Sequence, residues 1–272
     1  MKNILLTAQL TLREALSRKI FIAFGGISTF ILLIFALLFI FLNPEEFTGM
    51  VKSPGETIDF TKEIAYGLKL LVVAPLFGLG IFLSIFSASS FIPNMLEKGN
   101  IDLLLSKPLS RHQLIIGKFL GGLAVVALNI AYAVIGFWIL VGLKFGVWDA
   151  DFLLTIFSIT FAFASLYSLI ILIGIITRSS ILAMMLSYII FFILSPVLNM
   201  RDSINAVVDS SFLKGILDIL YYILPKITEL GNLTTELCIG EGINQWQPIL
   251  TSFLFMILTL YGGIFIFSKK DY

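Results

Sequence analysis

The densest group of charged and turn-forming residues in the chain lies between residues 93 and 113. Glu97 and Lys98 precede a Gly99-Asn100 turn, and Arg111 comes near the end of the group. Opposite charges held at turns can form ion pairs with a protein partner. The residues alone leave two interpretations open, a docking surface for a partner or a solvated loop without a binding role.

The same segment predicts two short helical pieces separated by tight turns. Ile101–Leu105 is a short amphipathic element, and Lys107 is biased away from helix because it precedes Pro108. Ser110 with Gln113 matches a capping box, which predicts that a long helix begins there.

Side chains elsewhere that could do covalent chemistry lack the partners they would need. Ser87 and Ser165 lie in apolar runs with no general base nearby in sequence. The single histidine, His112, and the single cysteine, Cys238, are too far apart in sequence to suggest a metal site. Gly117-Lys118-Phe119 lacks the Ser or Thr of a phosphate-binding loop. The sequence therefore predicts no catalytic, cofactor-binding or metal site in this chain.

Six runs without Asp, Glu, Lys or Arg surround these residues, and the mean hydropathy of the chain is +1.03. The runs are 20–44, 70–96, 119–143, 152–177, 179–200 and 242–268. Each is long enough for a helix to cross a hydrocarbon core of about 30 Å, which takes about 20 residues. The fold class expected is all-α, a polytopic membrane protein with six transmembrane helices.

The whole chain is expected to form one transmembrane domain, and none of its spans is expected to contain the Asp, Glu, His or Lys that proton or ion relays use. The expected spans are about 20–42, 70–92, 117–143, 152–176, 180–198 and 248–268. Pro93 is expected to end the second span, and an inner loop, 93–116, follows it. Gly117, Gly121 and Gly122 match the small-residue pattern of close helix packing in membranes.

The distribution of basic residues predicts that both termini lie inside. With that orientation the inner segments hold 11 basic and 4 acidic residues, and the outer segments hold 7 basic and 13 acidic residues. Lys and Arg are enriched in cytoplasmic loops of membrane proteins. The expected location is the cell (cytoplasmic or inner) membrane, with several passes.

Two segments outside the spans are expected to be helical. Residues 1–19 have apolar residues at Leu5, Ala8, Leu12 and Leu16, which predicts a one-sided helix in the membrane interface; a plain cytoplasmic extension of the first span is the alternative. Within the outer segment, 199–247, an apolar stretch ends at Pro225 and is too short to span, which favours a re-entrant or interfacial helix.

The inner loop resembles that of ABC transporter permeases of the type-2 (exporter) superfamily. The resemblance rests on Glu97-x-Gly99-x-Ile101-x-x-Leu104-Leu105-x-x-Pro108-x-x-Arg111, followed by Gly117-Lys118. The layout is similar as well, with an N-terminal helix, six spans, a long outer segment before the last span and a basic tail at Lys269-Lys270. Within the superfamily the chain is most similar to the compact permeases associated with multicopper-enzyme maturation.

The resemblance implies a separate cytoplasmic ATPase that binds ATP and Mg, and a second permease subunit that forms a homodimer or a heterodimer with this one. It also implies that the inner loop receives nucleotide-driven motion. The expected coupling residues are Glu97, Gly99, Ile101, Asp102, Leu104, Leu105, Lys107, Pro108, Ser110 and Arg111. Membrane lipids are further expected partners, 199–247 is a candidate surface for an extracytoplasmic partner, and no nucleic acid is expected.

The function expected is therefore that of the permease subunit of an ATP-driven exporter, without catalysis of its own. A secondary transporter or channel is one alternative, which predicts broken helices and buried charges. A membrane scaffold that recruits an assembly complex through the same loop is the other. If the loop docks an ATPase, Arg111→Glu is expected to lower ATPase recruitment without unfolding the bundle.

Overall fold

The computed structural model describes residues 2–16, 19–41, 60–101, 110–208 and 210–270, and every regular element within these ranges is a helix. The α-helices are α1 Lys2–Leu16, α2 Lys19–Phe41, α3 Phe60–Pro75, α4 Ile81–Ala88, α5 Phe91–Met95, α6 Arg111–Phe145, α7 Asp151–Thr177, α8 Ser180–Ile189, α9 Ser195–Asn199, α10 Arg201–Val207, α11 Ser211–Ile223, α12 Ile227–Cys238 and α13 Gln247–Lys269. Two π-helical segments, Leu76–Gly80 and Ile190–Leu194, connect α3 to α4 and α8 to α9.

Six helical stretches are long and apolar enough to cross a membrane, which confirms the all-α polytopic fold class. We refer to them in chain order as the first to sixth spans: Ile22–Phe41, Thr61–Met95, Arg111–Phe145, Asp151–Thr177, Ser180–Asn199 and Gln247–Lys269. The protein is therefore a multi-pass membrane protein.

The fourth span is the central helix of the bundle. Of its most apolar 18-residue window, 67% is buried by the rest of the chain, against 22% for the first span and 17% for the sixth. Its large side chains Phe163 and Tyr167 are fully buried. A helix that is apolar on all sides packs in the interior, so the other spans are arranged around this one.

The first span and α1 both run along the third span, in the same direction as it. Asn3 contacts Gln113, and Thr7 and Thr11 lie against Gly117 and Gly121. Further along, the Thr29 hydroxyl lies 3.1 Å from that of Tyr132, and the rings of Phe35 and Phe137 and of Phe39 and Phe145 are in edge contact. The third span is therefore covered by the N-terminal part of the chain along most of its length.

The face of α1 that packs on the protein is not its leucine-rich face. Thr7, Thr11 and Ala15 are buried against the third span, whereas Leu5 and Leu16 are exposed. The expected helix is present, but a position in the lipid interface stays a prediction.

The expectation that the spans contain no ionisable side chain is wrong for the second and third spans. The second span begins at Thr61 rather than near residue 70, and it includes Lys69, which is fully buried. Its Nζ lies 3.1 Å from Asp149 Oδ2, in the turn between the third and fourth spans. A spanning helix is therefore longer than its charge-free run when a buried basic residue near the end of the helix is paired with an acidic residue.

Each of the second and fifth spans has a proline close to its π-helical segment. Pro75 directly precedes the first segment and Pro196 lies two residues after the second, near positions where a helical hydrogen bond is lost. The two segments contact each other through Phe77 and Phe191, whose ring centroids are 6.5 Å apart, and beside them Phe82 stacks on Tyr188 with centroids 4.7 Å apart. Pro93, expected to end the second span, lies instead within α5, and the helix is interrupted earlier, at residues 89–90.

The outer segment folds into α10, α11 and α12, with an elbow at Pro225-Lys226. The apolar helix α11 ends just before Pro225, where the sequence places its end. At the elbow, the Lys226 backbone N–H donates to Ser252 Oγ, and Ser165 Oγ donates to the Ser252 carbonyl. Since Ser165 is near the middle of the fourth span, α12 runs from that depth back towards the outer end of the bundle.

Candidate functional site

The inner end of the second span presents a short, well-anchored charged turn. Glu97 and Lys98 are exposed, and Gly99 has a φ of +92°, a conformation that a residue with a Cβ rarely adopts. The Asn100 side chain donates to the Asn94 carbonyl at 2.9 Å, and Ile101 is only 4% exposed. The two charges are therefore held on a defined backbone, with an apolar anchor behind them.

The turn is joined to the centre of the bundle through α5. A Cβ added at Gly174, in the fourth span, would lie 3.3 Å from Ile92 Cβ and 3.5 Å from Pro93 Cδ. Displacement of the turn would therefore press directly on the inner end of the fourth span. Of the expected coupling residues, Asp102, Leu104, Leu105, Lys107 and Pro108 lie outside the described residues.

The third span begins where the capping-box pattern predicts. Ser110 is the N-cap residue, with an extended backbone, and its N–H donates to Gln113 Oε1 at 3.4 Å. The Ser110 hydroxyl lies 3.1 Å from His112 Nε2. Because Gln113 also accepts a hydrogen bond from Asn3, this cap is linked to α1.

Arg111 is engaged within the chain. Its Nη1 donates to the carbonyls of Phe267 and Ser268, at 3.2 and 3.1 Å, and to that of Lys270. These carbonyls belong to the last turn of the sixth span, where the helix itself leaves acceptors unpaired and cations are favourable.

Lys270 repeats this arrangement on the fourth span. Its Nζ donates to the carbonyls of Ile175 and Ile176, at 2.8 and 3.3 Å, in the last turn of that helix. We call Arg111 and Lys270 together the inner clamp. The clamp joins the beginning of the third span to the ends of the sixth and fourth spans.

The three glycines predicted to allow helix packing lie at close helix contacts. A Cβ added at Gly117 would lie 2.5 Å from Thr7 Cβ, and one at Gly121 would lie 2.5 Å from Thr11 Cβ. At Gly122 the added atom would lie 2.6 Å from the Tyr167 hydroxyl. Real Cβ contacts are essentially never this short, so these positions have room only for glycine.

The ion pair between Glu14 and Lys118 was not anticipated from the sequence. Their atoms lie 2.8 Å apart, and the Lys118 side chain is 10% exposed. The sequence patterns that include Lys118, the incomplete phosphate loop and the Gly117-Lys118 pair of the resemblance, indicate no partner for it. A lysine beside the small residues of a packing face signals such a pair, because close contact brings the partner helix within its reach.

Lys226, at the elbow before α12, is a second buried cation that the sequence reasoning missed. Its side chain is 3% exposed, its Nζ lies 3.8 Å from Glu229 Oε2 and 3.5 Å from the centre of the Tyr221 ring. Burial lowers the pKa of Lys226, and the Glu229 carboxylate acts in the opposite direction. In the sequence, the sign of this buried cation is a single basic residue, Lys226, between two apolar segments.

Within the described part of the chain, no three His, Cys, Asp or Glu residues are grouped so that they could hold a metal ion. The inner face instead offers exposed charges on an anchored turn next to a clamp across three spans. Such a surface can bind a partner and move with it.

Comparison with known proteins identifies the family. The family model described as ABC-2 family transporter protein matches residues 92–272, which run from the inner turn to the C-terminus. No curated protein matches the chain significantly. Because the matched region covers about two thirds of the sequence, the chain belongs to the ABC-2 family of transporter proteins, whose members are membrane components of ABC transporters.

Proposed function

We propose that this chain is the permease subunit of an ATP-driven exporter. A separate cytoplasmic ATPase, which binds ATP and Mg, supplies the energy, and a second permease subunit completes the transporter. The chain converts closure of the ATPase into movement of its spans. Membership of the ABC-2 family supports the permease role, and the inner turn carries the proposal of coupling.

The inner turn has the properties that mechanical coupling requires. Glu97 and Lys98 are exposed for contact with a partner, while Ile101 and the hydrogen bond from Asn100 to Asn94 hold the turn together. A flexible loop would absorb an applied displacement, whereas an anchored turn passes it to the helices. The remaining coupling residues, from Asp102 to Pro108, retain the roles proposed from the sequence.

The inner clamp passes this movement to the inner ends of the third, sixth and fourth spans. A shift at Arg111 moves the beginning of the third span and the end of the sixth span together. Lys270 then carries it to the end of the fourth span. Arg111 is thus proposed as a positioning residue in addition to its expected contact with the ATPase.

A charge-reversal experiment tests the coupling role. In the full-length protein expressed with its ABC ATPase partner, Lys98→Glu is expected to lower the amount of ATPase that co-purifies by about tenfold, because reversing one charge costs roughly 1.4 kcal/mol or more at a close ion pair. The matched control is Glu241→Lys, an equally exposed charge on the outer side. Equal co-purification of the wild type and both variants would contradict the proposal.

A secondary transporter is the second candidate, because it requires bent helices and buried charges. The two π-helical segments and the buried Lys69 and Lys226 are such features. However, both lysines lie beside an acidic residue. Lys69 lies beside Asp149, and Lys226 lies beside Glu229. Transport in proteoliposomes distinguishes the candidates: an exporter needs ATP and its ATPase, and a secondary transporter needs only an ion gradient.

The narrower similarity to permeases of multicopper-enzyme maturation is also a proposal. It rests on the sequence resemblance of the inner loop and the layout of the chain. Deletion of the gene is expected to lower the copper content of an extracytoplasmic multicopper enzyme in the same cell, measured after purification of that enzyme. A scaffold would give the same phenotype without requiring ATP hydrolysis.

A further inference from the structure

A groove of about 740 Å³ opens on the side of the bundle between the third and sixth spans. The fourth span forms its floor and α12 closes it at the outer end. We call it the lateral groove. The third span contributes Ala124 and Ala127 to its lining, and the fourth span contributes Phe157 and Phe161. Leu233 belongs to α12 and Met256 to the sixth span.

Hydrogen bonds between the walls hold the groove open. Ser158 Oγ lies 2.6 Å from Thr234 Oγ1, which joins the fourth span to α12. Ser168 Oγ lies 2.7 Å from Thr259 Oγ1, which joins the fourth and sixth spans. The Tyr167 hydroxyl donates to the Lys118 carbonyl at 3.1 Å and so joins the fourth and third spans. Because the walls are tied in this way, the groove is a permanent feature of the bundle.

The shape of the groove allows access only from the side. At the inner end the third and sixth spans meet, where Arg111 binds the carbonyls of Phe267 and Ser268. At the outer end Leu233 and Leu237 of α12 line the groove. A ligand must therefore enter laterally, from the surrounding membrane.

The lining selects hydrocarbon. None of its side chains is charged, and its hydroxyls are those of Ser158, which is bonded to Thr234, and of Thr160, whose Oγ1 is buried without a hydrogen bond to any residue that the structure describes. A bound water needs two to four polar partners, and among its side chains the lining offers only these two hydroxyls. The rim is continuous with the lipid-facing surface, since Phe157 is 71% exposed and Leu120 is 42% exposed.

The height of the groove fits one leaflet of a bilayer. On the fourth span it extends from Leu154 to Ala164, ten residues and therefore about 15 Å along the helix axis. This is half of a hydrocarbon core of about 30 Å. A spanning helix of a second copy would need a contact surface over the full height, whereas an acyl chain needs only half of it.

We propose that the lateral groove is a binding site for one acyl chain of a bilayer phospholipid. The site does not depend on the proposed coupling to an ATPase. Its test can succeed or fail independently of that function.

Photo-crosslinking in nanodiscs tests the site. The full-length protein is reconstituted in phosphatidylcholine containing a phosphatidylcholine with a diazirine at the middle of one chain, and labelled peptides are mapped by mass spectrometry. Label is expected to concentrate on the peptides containing Ala124–Ala127 and Phe157–Phe161, above the level at Leu258, an exposed residue of the sixth span outside the groove.

Filling the groove should remove this label. Ala124→Trp is expected to lower groove labelling about tenfold, as for loss of one defined site, and the matched variant Leu258→Trp should leave it unchanged. Groove labelling no higher than at Leu258, or equal in the Ala124→Trp variant and the wild type, would overturn the proposal. So would an efficient disulfide between two copies of the Ala124→Cys variant, because the groove would then be a subunit interface.

Discussion

Buried charges are the residues that the sequence made hardest to interpret. Lys69 and Lys118 both lie in spanning helices, and each is paired with an acid from a distant part of the chain, Asp149 or Glu14. The pairs differ in exposure: the side chains of Lys69 and Asp149 are 0% and 30% exposed, and those of Lys118 and Glu14 are 10% and 41% exposed. Loss of the Lys69–Asp149 pair should therefore lower the free energy of unfolding more than loss of the Lys118–Glu14 pair.

Asp149→Asn is expected to destabilise the protein by about 3 kcal/mol, because it leaves the charge of Lys69 buried without a counter-charge. Glu14→Gln is the comparison, and it should cost less than about 1 kcal/mol, as is usual for partly exposed pairs. Thermal unfolding of the purified protein, followed by tryptophan fluorescence, measures both.

The double variant Lys69→Met/Asp149→Asn provides the control for the first of these changes. An apolar side chain of similar volume removes the uncompensated charge, so it should restore most of the lost stability. A double variant as unstable as Asp149→Asn would show that the ion pair is not the cause.

At the level of the helices, the number of spanning helices could be predicted from the sequence, whereas the packing of α1 in the bundle could not. Six charge-free runs identified the six spans, because a spanning helix must be apolar along its length. The side of α1 that packs inward could not be read from hydrophobicity. Thr7 and Thr11 are buried because Gly117 and Gly121 admit only a small side chain, whereas Leu5 remains exposed. Such a contact depends on the partner helix, which periodicity within α1 does not describe.

The glycines of the third span therefore give an element-level prediction. Gly121→Ala should detach α1, since the added Cβ would lie 2.7 Å from the Ala8 carbonyl oxygen. Intrinsic helix propensity alone would favour alanine by about 1 kcal/mol. Increased protease cleavage within α1 and a lower melting temperature are the expected results.

Gly26→Ala is the matched control for that experiment. Gly26 also lies within a spanning helix, and a Cβ added there meets nothing within 4 Å. This variant should be as stable as the wild type or more so. If Gly121→Ala behaved in the same way, the close packing of α1 on the third span would be disproved.

Across the whole molecule, the inner clamp unites distant parts of the chain at the end of the bundle that the charge distribution predicts to be inside. Arg111 reaches carbonyls more than 150 residues away, and Lys270 reaches back to the fourth span. The inner-loop motif of the sequence indicated a functional role for Arg111, but not these internal acceptors, because nothing local in a sequence pairs a side chain with distant backbone carbonyls. From the sequence, the Arg111→Glu variant is expected to lower ATPase recruitment without unfolding the bundle. In the structure it would also place a carboxylate beside the backbone carbonyl oxygens that Arg111 binds.

Arg111→Ala is expected to lower the free energy of unfolding by about 1.5 kcal/mol, the lower part of the range for hydrogen bonds to charged groups. For a protein of this size the melting temperature should fall by about 3–6 °C. Under the proposed coupling to an ABC ATPase, ATP hydrolysis is expected to continue in the assembled transporter while transport declines. Loss of stability without any change in the ratio of transport to hydrolysis would limit Arg111 to a structural role.

The pairing of α1 with the third span also determines the order of events during biosynthesis. Asn3 and its partner Gln113 are 110 residues apart. At a translation rate of about 5–20 residues per second, the ribosome needs on the order of 5–20 s to make the missing partner. For that interval the newborn N-terminal helix lacks its packing partner, so the insertion machinery or the bilayer must cover the face that later packs on the third span.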